Sequence, residues 1–88
     1  MIINIEDLKK KIIYRSRYRG TKEMDKLLSS FTNEHISNLN KLELVCLCNL
    51  LDLDDENLFK FNQGEKVSVI IEDNKVTQLF KNYIYKIS

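Results

Sequence analysis

The sequence predicts an all-α fold, a small five-helix bundle in a single domain, and three observations carry that prediction. Apolar residues recur at helical spacing along most of the chain. Proline is absent, and only Gly20 and Gly64 interrupt the pattern. With 88 residues there is room for one core, since a chain this size buries roughly 60–65% of its unfolded surface. The helices must therefore share it.

The first helix starts near Ile5, where Ile5, Leu8, Ile12 and Ile13 stand at i, i+3, i+7 and i+8. It is predicted to run into a cluster of arginines and stop near Arg19-Gly20. Met24, Leu27, Leu28 and Phe31 repeat the stripe in a second helix from about Thr21 to Thr32. Thr21 offers an N-cap hydroxyl, and Glu23 and Asp25 put carboxylates in the first turn, where the helix dipole favours them. Ser37 is read as the cap of a third helix reaching Leu51. Apolar residues from Leu39 to Leu51 cover most of its circumference, so it should be central and mostly buried. Asp54 is read as the cap of a short fourth helix carrying Leu58, Phe59 and Phe61, ended by Gly64. Val67 to Ile71 alternates at first, as a strand would, but has no second strand to pair with. An extended connection or short turn is expected there. Val76, Leu79, Phe80, Tyr83, Ile84 and Ile87 mark a last helix from Asp73 or Asn74 onward.

Composition narrows the function classes. The chain is 43% apolar and 31% charged, a globular balance that argues against disorder. No apolar run approaches the roughly 18–20 residues of a membrane span. The first residues place Glu6 and Asp7 before the lysines and lack an apolar h-region, unlike a signal peptide or an acid-poor presequence. A cytoplasmic protein, or an imported one already processed, is the expectation. Cys46 and Cys48 stand two apart, which on a helix points them in different directions. With His35 the single histidine, no zinc set can be assembled, and both thiols are expected to be buried, reduced and structural. No histidine base beside a nucleophile and no glycine-rich phosphate loop is visible. No catalytic residue is assigned, and the balance moves from enzyme to binding protein.

Charge is unevenly spread. Residues 1–28 hold eight Lys/Arg against four Asp/Glu, and residues 29–88 hold six against nine, for a net charge of +1. Lys9, Lys10, Lys11, Arg15, Arg17, Arg19 and Lys22 form a basic block with no acid among them. Asp52, Asp54, Asp55 and Glu56 form its acidic counterpart. These are either solvated faces, in part paired with each other, or a recognition surface. The chain has eleven lysines and three arginines, and all three arginines fall within Arg15-Ser16-Arg17-Tyr18-Arg19. Lysine would serve solubility equally well, so the cluster points to a use for the planar, multi-donor guanidinium.

That cluster leads into Tyr18-Arg19-Gly20-Thr21-Lys22-Glu23-Met24-Asp25. Gly20 permits a tight turn and a close backbone approach, beside Arg19 and with Glu23 and Asp25 on the next helix. Spacing alone leaves a plainer reading open, in which Gly20 is a helix C-cap and Glu23 a dipole-favouring acid. The run Arg15-Ser16-Arg17-Tyr18-Arg19-Gly20-x-x-Glu23-x-Asp25-x-x-Leu28 resembles the RGxxE signature of the succinate dehydrogenase assembly factor 2 family, the bacterial flavinylation factors and their mitochondrial relatives. Phe31 and the stretch Leu50-Leu51-Asp52-Leu53-Asp54-Asp55-Glu56-Asn57-Leu58-Phe59 continue the likeness, which covers about Ile12 to Phe61. Phe61 stands where that family often has tryptophan, and Gly64 to Asp73 replace its proline-bearing connection.

The resemblance implies an assembly chaperone that binds the flavoprotein subunit of succinate dehydrogenase, and in bacteria that of fumarate reductase. It implies promotion of covalent FAD attachment by the partner's own groups. The small size of the domain and the want of a phosphate-binding loop lead to the expectation that the chain holds no FAD tightly itself. By carry-over, Arg19, Gly20 and Glu23 are the functional residues, supported at the interface by Arg15, Arg17, Tyr18 and Asp25. A small protein with a transient partner is expected to be a monomer, and no nucleic acid, metal or membrane insertion is expected. The expected location is the bacterial cytoplasm, or the mitochondrial matrix for a processed eukaryotic protein. Two other readings stand beside it. Tyr14 and Tyr18 interleave with the basic segment 9–22 as in a nucleic-acid-binding helix, although the near-zero net charge and Glu23 and Asp25 oppose it. A generic helical protein-interaction module is the other.

Overall fold

The computed structural model describes residues 4–84. Its helices are α1 (Ile5–Arg17), α2 (Lys22–His35), α3 (Lys41–Leu51), α4 (Asp55–Asn62) and α5 (Lys75–Lys81), with one 3-10 turn, Ile36–Asn38, between α2 and α3. No strand occurs among the described residues. No helix among them is long and apolar enough to cross a membrane.

Side-chain caps fix most of the starts. Asn4 accepts from Glu6 N–H at 2.9 Å and Thr21 from Met24 N–H at 3.2 Å. The third helix departs from expectation, because Ser37 falls inside the 3-10 turn and caps nothing. Asn40 caps α3 instead. It accepts from Glu43 N–H while Glu43 accepts from Asn40 N–H, both at 2.9 Å. That reciprocal box satisfies two orphan donors where a lone serine satisfies one. Asn74 and Thr77 form a second box at the start of α5. Asp54 holds the N-cap position of α4 without capping it, since its carboxylate accepts from Asn57 Nδ2.

The ends also differ in detail. α1 stops at Arg17, two residues short of Arg19, because Tyr18 leaves the helical region at φ −107°, ψ 65°. α2 runs past Thr32 to His35. α4 closes in a Schellman arrangement: Gly64 adopts φ +77°, Glu65 N–H donates to Lys60 O at 2.8 Å, and Gly64 N–H to Phe61 O at 3.2 Å. α5 ends at Lys81, so Tyr83 and Ile84 lie beyond it, and Ile87 lies outside the described residues. The stripe misled because Tyr83 packs on the core without being helical. Its ring stands 5.3 Å from Phe31 and its hydroxyl pairs with Ser30.

The core gathers Ile12, Leu28, Phe31, Leu44, Leu47, Leu58 and Phe80, all fully buried. Phe31 and Phe80 meet edge to face with centroids 5.1 Å apart. α3 lies against both α1 and α5, as its apolar surface predicts. It is not buried all round: Leu42 is exposed, and Cys46 is half-buried where Cys48 is buried. The expectation of two buried thiols therefore holds for Cys48 alone. Residues 67–71 form the expected irregular connection, tied down where Ser68 N–H and hydroxyl both donate to Asn57 Oδ1.

Candidate functional site

The α1–α2 junction is built from both sides of the arginine cluster. Ser16 faces inward at 1% exposure and lets α1 approach α2, where the Ser29 hydroxyl reaches Ser16 O at 3.4 Å. Arg15 and Arg17 consequently diverge to the flanks. Arg15 pairs with Asp52 across the bundle, while Arg17 is exposed.

Arg19 does something different. Its guanidinium turns under the junction into the α3–α4 turn, leaving the side chain 11% exposed. Nε donates to Asp55 Oδ1 at 2.7 Å, Nη1 to Leu51 O at 3.1 Å and Arg15 O at 3.3 Å, and Nη2 to Leu53 O at 2.9 Å. Carbonyls at a helix C-terminus lack intrahelical donors and carry the negative end of the dipole. A planar fork with five N–H groups fits that ring of acceptors, and an ammonium does not. The backbone is braced as well. Arg19 N–H donates to Asp25 Oδ1 at 2.5 Å, and Gly20 N–H to Asp55 Oδ2 at 2.7 Å.

Gly20 is glycine for reasons of space. Its φ is not positive, so it is not a left-handed cap. A Cβ there would stand 2.9 Å from Asp55 Oδ2, closer than side-chain carbons approach.

Of the seven residues singled out in the sequence, Arg15, Arg19, Gly20 and Asp25 thus have partners inside the molecule. Gly20, Glu23, Arg17 and Tyr18 face outward. Tyr18 is 71% exposed and leans on Tyr14, 64% exposed, with ring centroids 4.6 Å apart. Among the described residues Glu23 makes no ion pair. The outward arrangement offers donors, an acceptor and two aromatic faces, a composition suited to holding another protein. Asp55 is the residue that sequence reasoning missed. The acidic run signalled pairing with the basic block, but nothing local selects one acid out of four. Among the described residues no group of three His, Cys, Asp or Glu side chains could hold a metal ion.

The model of a protein family described as flavinator of succinate dehydrogenase matches residues 10–84, a span that includes the whole junction. Comparison with curated proteins and with solved structures gives no match.

Proposed function

Since the chain belongs to the family of flavinators of succinate dehydrogenase, we propose that it is an assembly factor that binds the flavoprotein subunit of that enzyme and promotes covalent attachment of FAD to it. The observation that carries this reading is the family match over residues 10–84. The exposed group of Arg17, Tyr18 and Glu23, mounted on a braced turn, supports placing the contact at the α1–α2 junction.

In this reading the flavin stays with the partner, and the partner's own groups form the bond. The factor contributes by holding flavin and protein in a reactive arrangement, which shifts the flavoprotein's population toward that geometry. Rigidity of the presenting turn matters, because a surface ordered before binding loses less entropy on docking.

The test combines purified chain, apo-flavoprotein subunit and FAD, with covalent flavin read by in-gel fluorescence and complex formation by gel filtration. The chain should raise covalent flavin and co-elute with the subunit. Glu23→Ala, at an exposed position, should weaken the complex about tenfold, or roughly 1.4 kcal/mol, at an unchanged melting temperature. No complex and no gain in covalent flavin would sink the proposal.

A further inference from the structure

The Asp55 carboxylate grips two consecutive residues that lie 36 and 35 positions earlier in the chain. Oδ1 accepts from Arg19 Nε and Oδ2 from Gly20 N–H, both at 2.7 Å. From this grip we infer that Asp55 is a positioning residue for the partner surface, and that it, not the partner, sets the need for arginine at 19 and glycine at 20. The inference rests on reading the α1–α2 junction as the working surface.

Arg19 supplies the first argument. A partner-facing arginine keeps its fork in solvent until the partner arrives. This one has every guanidinium nitrogen bonded within the fold and its side chain 11% exposed. Its exposed neighbours, Arg17 and Tyr18, are left to meet a partner.

Gly20 supplies the second. Its backbone conformation is open to any residue, so only the 2.9 Å approach to Asp55 Oδ2 opposes a side chain. Flexible side chains can move aside from such an approach. Asp55 has two χ angles and both its oxygens are held, so withdrawal breaks the bond to Arg19 or the bond to Gly20. An added methyl at 20 therefore loosens the clamp from within. Asp55 also opens α4, where a carboxylate favours the helix dipole. The test must separate that plain structural role from positioning.

A double-mutant cycle does so, using Gly20→Ala, Asp55→Ala and their combination in the full chain. Affinity for the flavoprotein subunit and melting temperature are both measured. In the parental background Gly20→Ala should weaken binding about tenfold. In the Asp55→Ala background the same change should alter binding less than about twofold, because the obstructing carboxylate is gone. An equal loss in both backgrounds would mean that the partner itself needs the glycine, and the inference would be wrong. Nitrogen-15 NMR gives an independent signature. Arg19 Nε–H should appear as a slowly exchanging resonance in the parent and broaden or vanish in Asp55→Ala. A fast-exchanging Nε–H in the parent overturns the clamp.

If Asp55→Ala fails to fold, Asp55→Asn takes its place and retains a bulky group beside Gly20. Gly20→Ala should then remain as harmful as in the parent, and a harmless Gly20→Ala would again count against the inference. Should the parent bind no flavoprotein subunit at all, the functional reading falls separately. The NMR signal and the cycle read in melting temperature still decide whether Asp55 grips Arg19 and Gly20.

Discussion

Arg19, singled out in the sequence as a functional residue, is bonded as an internal brace. Its charge is neutralised by Asp55 and its donors reach the carbonyls of Leu51 and Leu53 at and beyond the end of α3, so it joins α1, α3 and α4 at one point. Hydrogen bonds from a charged group in a nearly closed site are each worth about 1.5–3 kcal/mol. Arg19→Lys keeps the charge but cannot reproduce three diverging nitrogens. It should destabilise the protein by about 1–3 kcal/mol, lowering the melting midpoint by several degrees for a domain of this size. A variant that melts with the parent while binding the flavoprotein less tightly would make the arginine a partner contact. The sequence marks Arg19 and Gly20 as special because three arginines crowd beside one of only two glycines. It does not mark Asp55. Asp52, Asp54, Asp55 and Glu56 are equivalent in a string of letters, and the packing of α4 against the junction breaks the tie.

Helices, as elements, are legible from period alone, and their ends are not. Each of the five periodic stripes locates a helix, because each puts residues into the shared core around Phe31 and Phe80, although the last stripe runs on past the end of α5. Boundaries fail where a tertiary or reciprocal bond outcompetes the nearest capping residue, as Asn40 and Glu43 do over Ser37. That box carries a pH dependence. The Asn40 backbone N–H, followed by Lys75, holds the Glu43 carboxyl below its ordinary value of 4.5. Lys75 Nζ lies 3.2 Å from Glu43 Oε2, joining the starts of α3 and α5. A carboxyl depressed in the folded state adds stability that is complete above its unfolded value. That stability is lost as pH falls through the folded one. Glu43→Gln should therefore melt lower than the parent at neutral pH, with the gap closing as pH drops below about 4.5. A gap that stays constant down to pH 3, or widens there, would show that Glu43 does not act through its charge.

At the scale of the whole molecule, α5 is the piece whose attachment the sequence least foretells. Seven residues cannot hold a helix alone, since isolated helices shorter than roughly 12 residues are marginal in water. The apolar face supplies part of the attachment, with Val76 and Phe80 almost fully buried. The rest is polar and invisible to periodicity. Asn62, at the end of α4, is buried and donates through Nδ2 to Phe80 O at 2.8 Å and Tyr83 O at 2.9 Å. Those acceptors sit at and just beyond the end of α5, where carbonyls lose their i+4 helical donors; Phe80 O also accepts from Tyr83 N–H at 3.2 Å. Asn62 thus caps one helix from the end of another and positions Tyr83 against Phe31 and Ser30. Removing it with Asn62→Ala takes the side-chain donor from Tyr83 O and leaves Phe80 O with backbone donors alone, at a cost of about 1–3 kcal/mol. The Arg19 clamp draws only on α1, α2, α3, α4 and the turns between them. The variant should therefore fail locally first. Native-state hydrogen exchange is expected to speed up at the amides of α5 while those of α1 and α2 keep their parental protection. Equal acceleration across all five helices would instead make α5 inseparable from the cooperative core, with the junction and its presenting surface depending on α5 after all.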